Sequence, residues 1–134
     1  MVECPELYIL RHGETAWNAQ DRMQGGLNSP LTETGRQQAA RQAQILTGLD
    51  LTGFDVFCSP QGRAFETAAI ALARQVLFLR TDDRLREIEV GDWQGLVRNP
   101  DWLETTEPDT PDGPIAYYEK APNGEGFAAL EARC

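Results

Sequence analysis

The sequence predicts a single α/β domain that covers residues 1–134. Short apolar runs that suit buried strands alternate with longer segments whose apolar residues recur every three or four positions, as in helices. Glycine, serine or proline follows most of the apolar runs, and these residues turn the chain or begin a helix. A chain of 134 residues, 41% of them hydrophobic, is long enough to bury one core.

Three strands and three helices are predicted, without internal repeats. The strands lie near residues 6–11, 54–58 and 76–80, and the helices near residues 33–47, 60–74 and 124–134. Thr32 is the expected N-cap of the first helix, and Ser59 before Pro60 is a strong start signal for the second. The second helix is expected to pack on the sheet through one face, made of Ala64, Ala68, Ala71 and Leu72.

The only histidine of the chain, His12, follows an apolar run and lies between Arg11 and Gly13. A strand that ends here places the imidazole at the carboxyl edge of the sheet, where open α/β folds bind ligands. Imidazole can act as a nucleophile, and a guanidinium group can hold a phosphoryl group with two hydrogen bonds. The first hypothesis is therefore that His12 attacks phosphorus beside Arg11. A histidine that only packs at a strand end is the alternative.

Further donors for an anion follow along the chain. Asn18 can donate from its carboxamide, and the glycines after Gln24, Gly25 and Gly26, let backbone N–H groups approach an anion closely. Arg63 falls in the first turn of the predicted second helix, whose N-terminus also favours negative charge. The alternatives are a solvated helix arginine, a turn asparagine and ordinary loop glycines.

Together these residues resemble the histidine phosphatase superfamily, also called the phosphoglycerate mutase-like family. The matching segments are residues 11–15 with Asn18, Leu31 and Thr32 with Gly35, Ser59 and Pro60 with Arg63 and Thr67, residues 85–87 with Gly91, Trp93 and Gly95, and more weakly residues 122–127. The resemblance runs from Leu7 to the last residue in the family's order and spacing. Four ordered blocks are far more specific than one tetrapeptide.

The resemblance implies a three-layer α/β/α phosphoglycerate mutase-like fold and a phosphomonoester hydrolase that works through a phosphohistidine on His12. The implied catalytic residues are His12, Glu87, Arg11 and Arg63, and the implied phosphate-binding residues are Arg11, Asn18, Gln24, Gly25 and Arg63. His12 must be neutral to attack, so its other ring nitrogen should donate to an acceptor such as a backbone carbonyl. Glu87, the implied proton donor, must hold a proton, which requires partial burial or a nearby anion. A glutamate that is merely solvated is the alternative.

No metal and no other cofactor is expected, because the two arginines carry the positive charge that a metal supplies elsewhere.

Residues 24–30 lack the Gly-Trp element usual in mutases, and residues 88–93 lack the arginine and tyrosine that mutases tend to show after the donor glutamate. Both features favour the phosphatase branch, with a small phosphorylated metabolite as substrate. A phosphoglycerate mutase and a non-catalytic phosphate-binding module are the alternatives.

The C-terminal end departs from the family pattern. Family members carry a second essential histidine on a strand that ends in His-Gly, whereas this chain has one histidine and stops at Cys134 within a helical pattern. In the family fold that strand lies between those near residues 7–10 and 54–58, so both would keep unpaired backbone groups without it. We therefore expect an incomplete fold that lacks its C-terminal strands, and weak or absent activity of this chain alone.

Residues 99–123 are rich in Pro, Asp, Thr and Gly and are predicted to form an irregular insertion over the site. Tyr117, Tyr118 and Lys120 would either contact the non-phosphate part of a ligand or, as we favour, pack beneath the loop. The same region has a role in choosing substrates in the family that the sequence resembles.

Composition excludes several kinds of partner. The net charge of −9 argues against nucleic acid and anionic membrane surfaces. No segment resembles a signal peptide or reaches the apolar length of a membrane span. Three cysteines without metal-ligand spacing are typical of a reducing, cytoplasmic location. A homodimer is left open.

Overall fold

Two helices pack side by side, and one of them contacts a small two-stranded parallel sheet. A computed structural model describes residues 4–75, 77–99, 101 and 113–134. Its elements include α1 (Ala16–Ala19), α2 (Glu33–Leu46), β1 (Val56–Cys58), α3 (Gly62–Ala71), β2 (Leu79–Thr81) and α4 (Gly126–Arg133). Segments of 3₁₀ helix cover Asp83–Leu85, Gly91–Trp93 and Gly113–Lys120.

The sheet confirms the predicted α/β class. β1 and β2 run parallel, with Val56 opposite Leu79 and Cys58 opposite Thr81, and α3 connects them. Parallel neighbours need such a crossover connection, because a tight turn reverses the chain and can join only antiparallel strands. β2 lies slightly later than the predicted strand near residues 76–80, of which residue 76 is outside the described residues.

The strand predicted near residues 6–11 does not form. Residues 4–14 have no regular secondary structure, and the side chains of Leu7 and Ile9 are 75% and 85% exposed. The Tyr8 ring lies 5.5 Å from the Phe54 ring, so the segment runs beside the start of β1. In the described part of the chain β1 pairs only with β2, and no backbone ladder reaches residues 6–11. An apolar run becomes a strand only when a neighbour takes up its backbone groups.

The first predicted helix is confirmed. α2 covers Glu33–Leu46, and the Thr32 hydroxyl accepts from the backbone N–H of Gly35 at 3.0 Å, which is the expected N-cap contact. Ala39 and Leu46 are buried on its inner face. This face packs against α3, which brings the loop before α2 close to the first turn of α3.

The second predicted helix begins later and ends earlier than expected. α3 covers Gly62–Ala71 with Gln61 as N-cap, rather than beginning after Ser59. Ser59 instead accepts from the N–H of Gln61 at 3.3 Å, while Asn28, far away in sequence, accepts from the N–H of Arg63 at 2.8 Å. The fully buried line of this helix is Arg63, Thr67 and Ala71, spaced four residues apart. Of the predicted face, Ala71 is buried and Leu72 packs against the core, whereas Ala64 and Ala68 are only partly buried.

Two apolar clusters stabilise the described residues. One contains Leu46 of α2, Ala71 of α3 and Leu51, and Phe54 and Leu77, which lie just before the two strands, pack against it. The other contains Met23, Ile88, Val90, Tyr117 and Ala121. Within the predicted insertion, residues 113–120 form a 3₁₀ helix whose Tyr117 belongs to this second cluster, while residues 100 and 102–112 lie outside the described residues. No helix in the described ranges is both long and apolar enough to cross a bilayer.

Candidate active site

A polar pocket of about 80 Å³ opens where the loop after residue 11, the first turn of α3 and the segment around residue 87 meet. Every sequence-predicted site residue lines it: Arg11, His12, Asn18, Gln24, Gly25, Arg63 and Glu87. A second, more open depression of about 330 Å³ adjoins it and is lined by Arg11, His12, Glu14, Asn18 and Gln38. The imidazole of His12 therefore borders both openings.

The ring of His12 is held by its own loop. Nδ1 lies 2.8 Å from the carbonyl oxygen of Gly13, so this nitrogen carries the proton and donates, as the sequence predicts. Burial lowers the pKa of His12, and the guanidinium groups of Arg63 and Arg11 lower it further, whereas the bond to Gly13 acts in the opposite direction. The net result is a neutral ring at physiological pH whose Nε2 keeps its lone pair.

Backbone contacts fix the loop that carries His12. The N–H of Gly13 donates to Oγ1 of Thr67 at 3.0 Å, and the same hydroxyl donates to the carbonyl of Arg63 at 2.7 Å. Gly13 and Gly35 touch through their backbones: a Cβ on Gly13 would lie 2.3 Å from the carbonyl oxygen of Gly35. A side chain at either position would separate the histidine loop from α2, so both glycines position His12.

Arg63 is buried, with only 2% of its surface exposed, so the alternative of a solvated helix arginine is wrong. Its guanidinium donates to the carbonyl oxygens of Leu27 at 2.8 Å and Gly25 at 3.1 Å. Its buried Nε has no partner among the described residues. Burial lowers the pKa of Arg63 and the Glu87 carboxylate opposes this shift, but an arginine remains charged at neutral pH. A buried cation with a spare N–H is suited to an anion.

Asn18 takes part in the helix cap of α1. Its Oδ1 accepts from the N–H of Thr15 at 3.1 Å, so the NH₂ of the carboxamide is the group left to donate to the pocket. Gln24 is buried and its Oε1 accepts from the Thr15 hydroxyl at 2.8 Å. Thr15 therefore holds both amide side chains in place beside the pocket.

The backbone at Gly25 follows a path that favours glycine. Its φ is +52°, and a Cβ there would lie 2.9 Å from the Val90 side chain. Among the described residues no acceptor takes up the N–H of Gln24 or of Gly25. These two backbone donors are free to contribute to an anion site.

Glu87 lines the pocket without being buried. Its Oε1 accepts from the N–H of Ile88 at 3.0 Å, and its own N–H donates to Gln61 at 3.1 Å. The side chain is exposed, so the partial burial expected of a proton donor is not observed.

Sequence reasoning missed four residues of the pocket wall, namely Arg22, Met23, Ile88 and Arg98, whereas Tyr118 also lines the wall and was one of the tyrosines considered as a ligand contact. Arg22 lies two residues before Gln24, and this closeness to a predicted phosphate contact is a signal that could have identified it. No sequence signal connects Arg98 to the site, whereas Tyr118 belongs to the insertion that is predicted to lie over it. Arg98 reaches the pocket because it follows Val97, which forms a β-bridge with Arg22. Tyr118 reaches it because this tyrosine packs against the second apolar cluster.

The chain belongs to the histidine phosphatase superfamily (branch 1), whose family model matches residues 7–134. It is 45% identical over 97 residues to phosphoglycerate mutase-like protein 4 of Arabidopsis thaliana, covering 72% of this chain and 42% of that protein. It is 38% identical over 115 residues to glucosyl-3-phosphoglycerate phosphatase of Mycobacterium tuberculosis, covering 86% of this chain and 48% of that protein.

Comparison with solved structures gives the same fold. Bacillus stearothermophilus YhfR matches with a TM-score of 0.69 and 38% identity, covering 92% of this chain and 60% of that one. The α/β phosphoglycerate mutase-like fold is thereby established. The chain spans about half the length of the curated relatives that it matches.

Proposed function

We propose that this pocket hydrolyses a phosphomonoester of a small metabolite through a phosphohistidine on His12. The observation that carries the proposal is the meeting of a neutral imidazole, held through Nδ1, with a buried arginine whose Nε–H has no partner. Phosphoryl transfer depends mainly on positioning and on neutralising the charge of the phosphoryl oxygens. Both requirements have candidate groups here.

In the first step, the Nε2 lone pair of His12 attacks phosphorus and forms a P–N bond while the P–O bond to the leaving alcohol breaks. Glu87 gives its proton to the leaving oxygen. Glu87 lines the same pocket as the imidazole, so its carboxyl group can reach a leaving oxygen there. In the second step, water attacks phosphorus and gives a proton to the Glu87 carboxylate. The P–N bond then breaks and phosphate leaves.

The phosphoryl oxygens have several donors in this pocket. Arg11 and Arg63 supply positive charge, and the NH₂ of Asn18 adds a neutral donor. The backbone N–H groups of Gln24 and Gly25 complete the set. We expect turnover by the 134-residue chain alone to be weak, because one side of the imidazole faces the open depression beside Glu14 and Gln38.

Trapping the phosphoenzyme tests this proposal directly. The chain has one histidine, so any acid-labile phosphohistidine formed with a radiolabelled acyl phosphate donor must lie on His12. We expect slow labelling of the natural sequence and of Gln37→Ala, a control whose exposed side chain bonds Glu33 on α2 and borders neither opening. His12→Ala should remain unlabelled and should show no turnover of an aryl phosphate. Labelling equal in His12→Ala would contradict the mechanism, and rapid His12-dependent turnover would contradict weak activity.

Two other functions have a specific observation in their favour. The relative named phosphoglycerate mutase-like supports a mutase, which would isomerise phosphoglycerates. The exposure of Glu87 supports a module that binds phosphate without turnover. Phosphate binding measured by calorimetry, with no phosphohistidine formed, would favour the binding module.

The three unpaired cysteines support the cytoplasmic location that we propose for the protein.

A further inference from the structure

The carboxamide of Gln61 joins three segments of the site that are distant in sequence. Its Oε1 accepts from Nη2 of Arg63 at 3.2 Å and from the backbone N–H of Glu87 at 3.1 Å. Its Nε2 donates to the carbonyl oxygens of Gly25 at 3.0 Å and Gly26 at 3.3 Å. Gln61 does not line the pocket itself, and it is not among the catalytic or phosphate-binding residues that the resemblance implies.

The orientation of this carboxamide is set by its partners. A guanidinium group and a backbone N–H can only donate, whereas a backbone carbonyl can only accept. Turning the amide over would place its NH₂ against two donors and its oxygen against two carbonyls. The oxygen therefore faces Arg63 and Glu87, and the NH₂ faces the glycine loop, by which we mean Gly25 and Gly26.

Arg63 and Gly25 are also bonded to each other, because Nη2 of Arg63 donates to the carbonyl of Gly25 at 3.1 Å. Together with the two bonds that Gln61 makes to these residues, this contact closes a ring of three hydrogen bonds. A polar network whose members are paired in this way is rigid. The ring therefore fixes the guanidinium group of Arg63 relative to the glycine loop.

The position of the Glu87 carboxyl group depends on the backbone that carries it. Within the described ranges this carboxylate makes no hydrogen bond to another segment; its Oε1 accepts from the N–H of the next residue, Ile88, at 3.0 Å. The side chain is exposed, so packing does not hold it either. Its backbone N–H, by contrast, is held by Gln61.

We infer that Gln61 is a positioning residue that holds the Glu87 carboxyl group in place relative to Arg63 and the glycine loop. The inference rests on the proposed function, because Gln61 acts here through the proton that Glu87 donates. Without Oε1 of Gln61, the N–H of Glu87 loses its acceptor and the carboxyl group can move away from the leaving oxygen. A displacement of about 1 Å is enough to lower a rate by about a hundredfold.

Two radiolabelled phosphoryl donors with different leaving groups test this role. From both donors, Nε2 of His12 forms the same P–N bond while a P–O bond breaks. Acetyl phosphate releases a carboxylate, a weak base that leaves without a proton, whereas phenyl phosphate releases a stronger base that takes the proton of Glu87. The ratio of the two labelling rates therefore measures proton donation, since a loss of folded protein lowers both rates equally.

Gln61→Met keeps the length of the side chain and removes its hydrogen bonds. We expect labelling from phenyl phosphate to fall about tenfold more than labelling from acetyl phosphate. Gln75→Met is the matched control, because Gln75 is also partly buried and donates to a backbone carbonyl, that of Leu46, at 3.1 Å, yet does not border the pocket. Its two labelling rates should keep the natural ratio.

Gln61→Glu separates the two roles of the carboxamide. A carboxylate still accepts from Arg63 and Glu87 but cannot donate to the carbonyls of the glycine loop. We therefore expect the natural ratio of labelling rates together with weaker binding of inorganic phosphate, measured by calorimetry. A ratio that shifts in Gln61→Glu toward acetyl phosphate by about tenfold would overturn the role of Oε1, and this variant decides the question should Gln61→Met fail to fold.

Failure of this inference differs from failure of the proposed function. A natural ratio in Gln61→Met, or an equal shift in Gln75→Met, would overturn the positioning role and leave the phosphohistidine on His12 standing. Labelling of the natural sequence from acetyl phosphate alone would overturn proton donation by Glu87 and with it the role of Gln61. No labelling from either donor would overturn both the inference and the proposed function.

Discussion

At the scale of single residues, the contact between Gly13 and Gly35 determines where the imidazole lies. A Cβ on Gly35 would lie 2.1 Å from the carbonyl oxygen of Glu14, in backbone that cannot move away without moving His12. Gly35 also lies in the first turn of α2, where alanine would ordinarily improve helix propensity. The sign of the change in the free energy of unfolding on replacing Gly35 with alanine therefore shows whether the steric clash or the gain in helix propensity is larger.

We predict that Gly35→Ala lowers the free energy of unfolding by about 2 kcal/mol, because overpacking outweighs the gain in helix propensity. Gly48→Ala is the matched control, since its nearest neighbour would lie at an ordinary 3.4 Å. Urea denaturation of both variants measures the difference. A Gly35→Ala variant as stable as the natural sequence would show that the loop can move and that the contact does not position His12.

The neutral state of His12 links stability to pH. Because burial lowers the pKa of His12 from its ordinary 6.5, the unfolded chain binds a proton at a higher pH than the folded one. The free energy of unfolding should therefore decrease as the pH falls below about 6.5 toward the folded pKa. The effect is measured by urea denaturation between about pH 5 and 8. His12→Gln should remove this slope, and a slope that persists in the variant would assign it to other groups.

At the scale of secondary-structure elements, α3 is the support of the site. Its buried line combines Ala71 of the predicted apolar face with the polar residues Arg63 and Thr67, and the Thr67 hydroxyl joins the helix to the loop of His12. Polar residues can occupy this face because each has partners in neighbouring loops. The helix thus supplies the Arg63 cation and, through Thr67, the hydrogen bond that holds the loop of His12.

We predict that Thr67→Val lowers the free energy of unfolding by about 2 kcal/mol, because it leaves the N–H of Gly13 buried without an acceptor. Phosphate affinity should fall as well, since the loop of His12 loses its attachment to α3. Thr47→Val is the control: Thr47 bonds the carbonyl of Gln44 at the exposed end of α2. Denaturation and calorimetry with inorganic phosphate measure the two effects, and equal behaviour of both variants would contradict the prediction.

At the start of α3, local sequence predicts that a helix begins there but does not predict the distant residue that caps its first turn. Ser59 and Pro60 predict a helix at the right place, but the first turn is completed by Asn28, which lies far away in sequence and so escapes local patterns. The predicted pocket residues were identifiable because their motifs are short and contiguous. Arg98 was not, because its position in the wall depends on a β-bridge between distant segments.

At the scale of the whole molecule, the segment before His12 differs from the rest of the described structure. The apolar run at residues 7–10 predicts a strand, yet Leu7 and Ile9 are among its most exposed side chains. An apolar run in the sequence indicates that a segment tends to be buried. The segment is buried as a strand only when a neighbouring strand pairs with it, and the local sequence does not show whether that neighbour is present. Exposed apolar runs of this kind promote association between molecules.

We predict that Leu7→Lys and Ile9→Lys raise the concentration at which the protein begins to associate, measured by light scattering. Their free energies of unfolding should stay within about 0.5 kcal/mol of the natural value, as for other surface changes. Leu46→Ala, in the buried cluster with Leu51 and Ala71, should by contrast cost about 3 kcal/mol. A comparable loss in Ile9→Lys would show that this side chain is buried in solution.

The unpaired segment is covalently continuous with Arg11 and His12, and this has a thermodynamic consequence. Any polypeptide that adds its backbone to residues 7–10 also restricts the conformations open to the nucleophile at the end of that run. Occupancy of the strand position and occupancy of the anion pocket are therefore coupled equilibria. By reciprocity, each ligand changes the affinity for the other by the same factor.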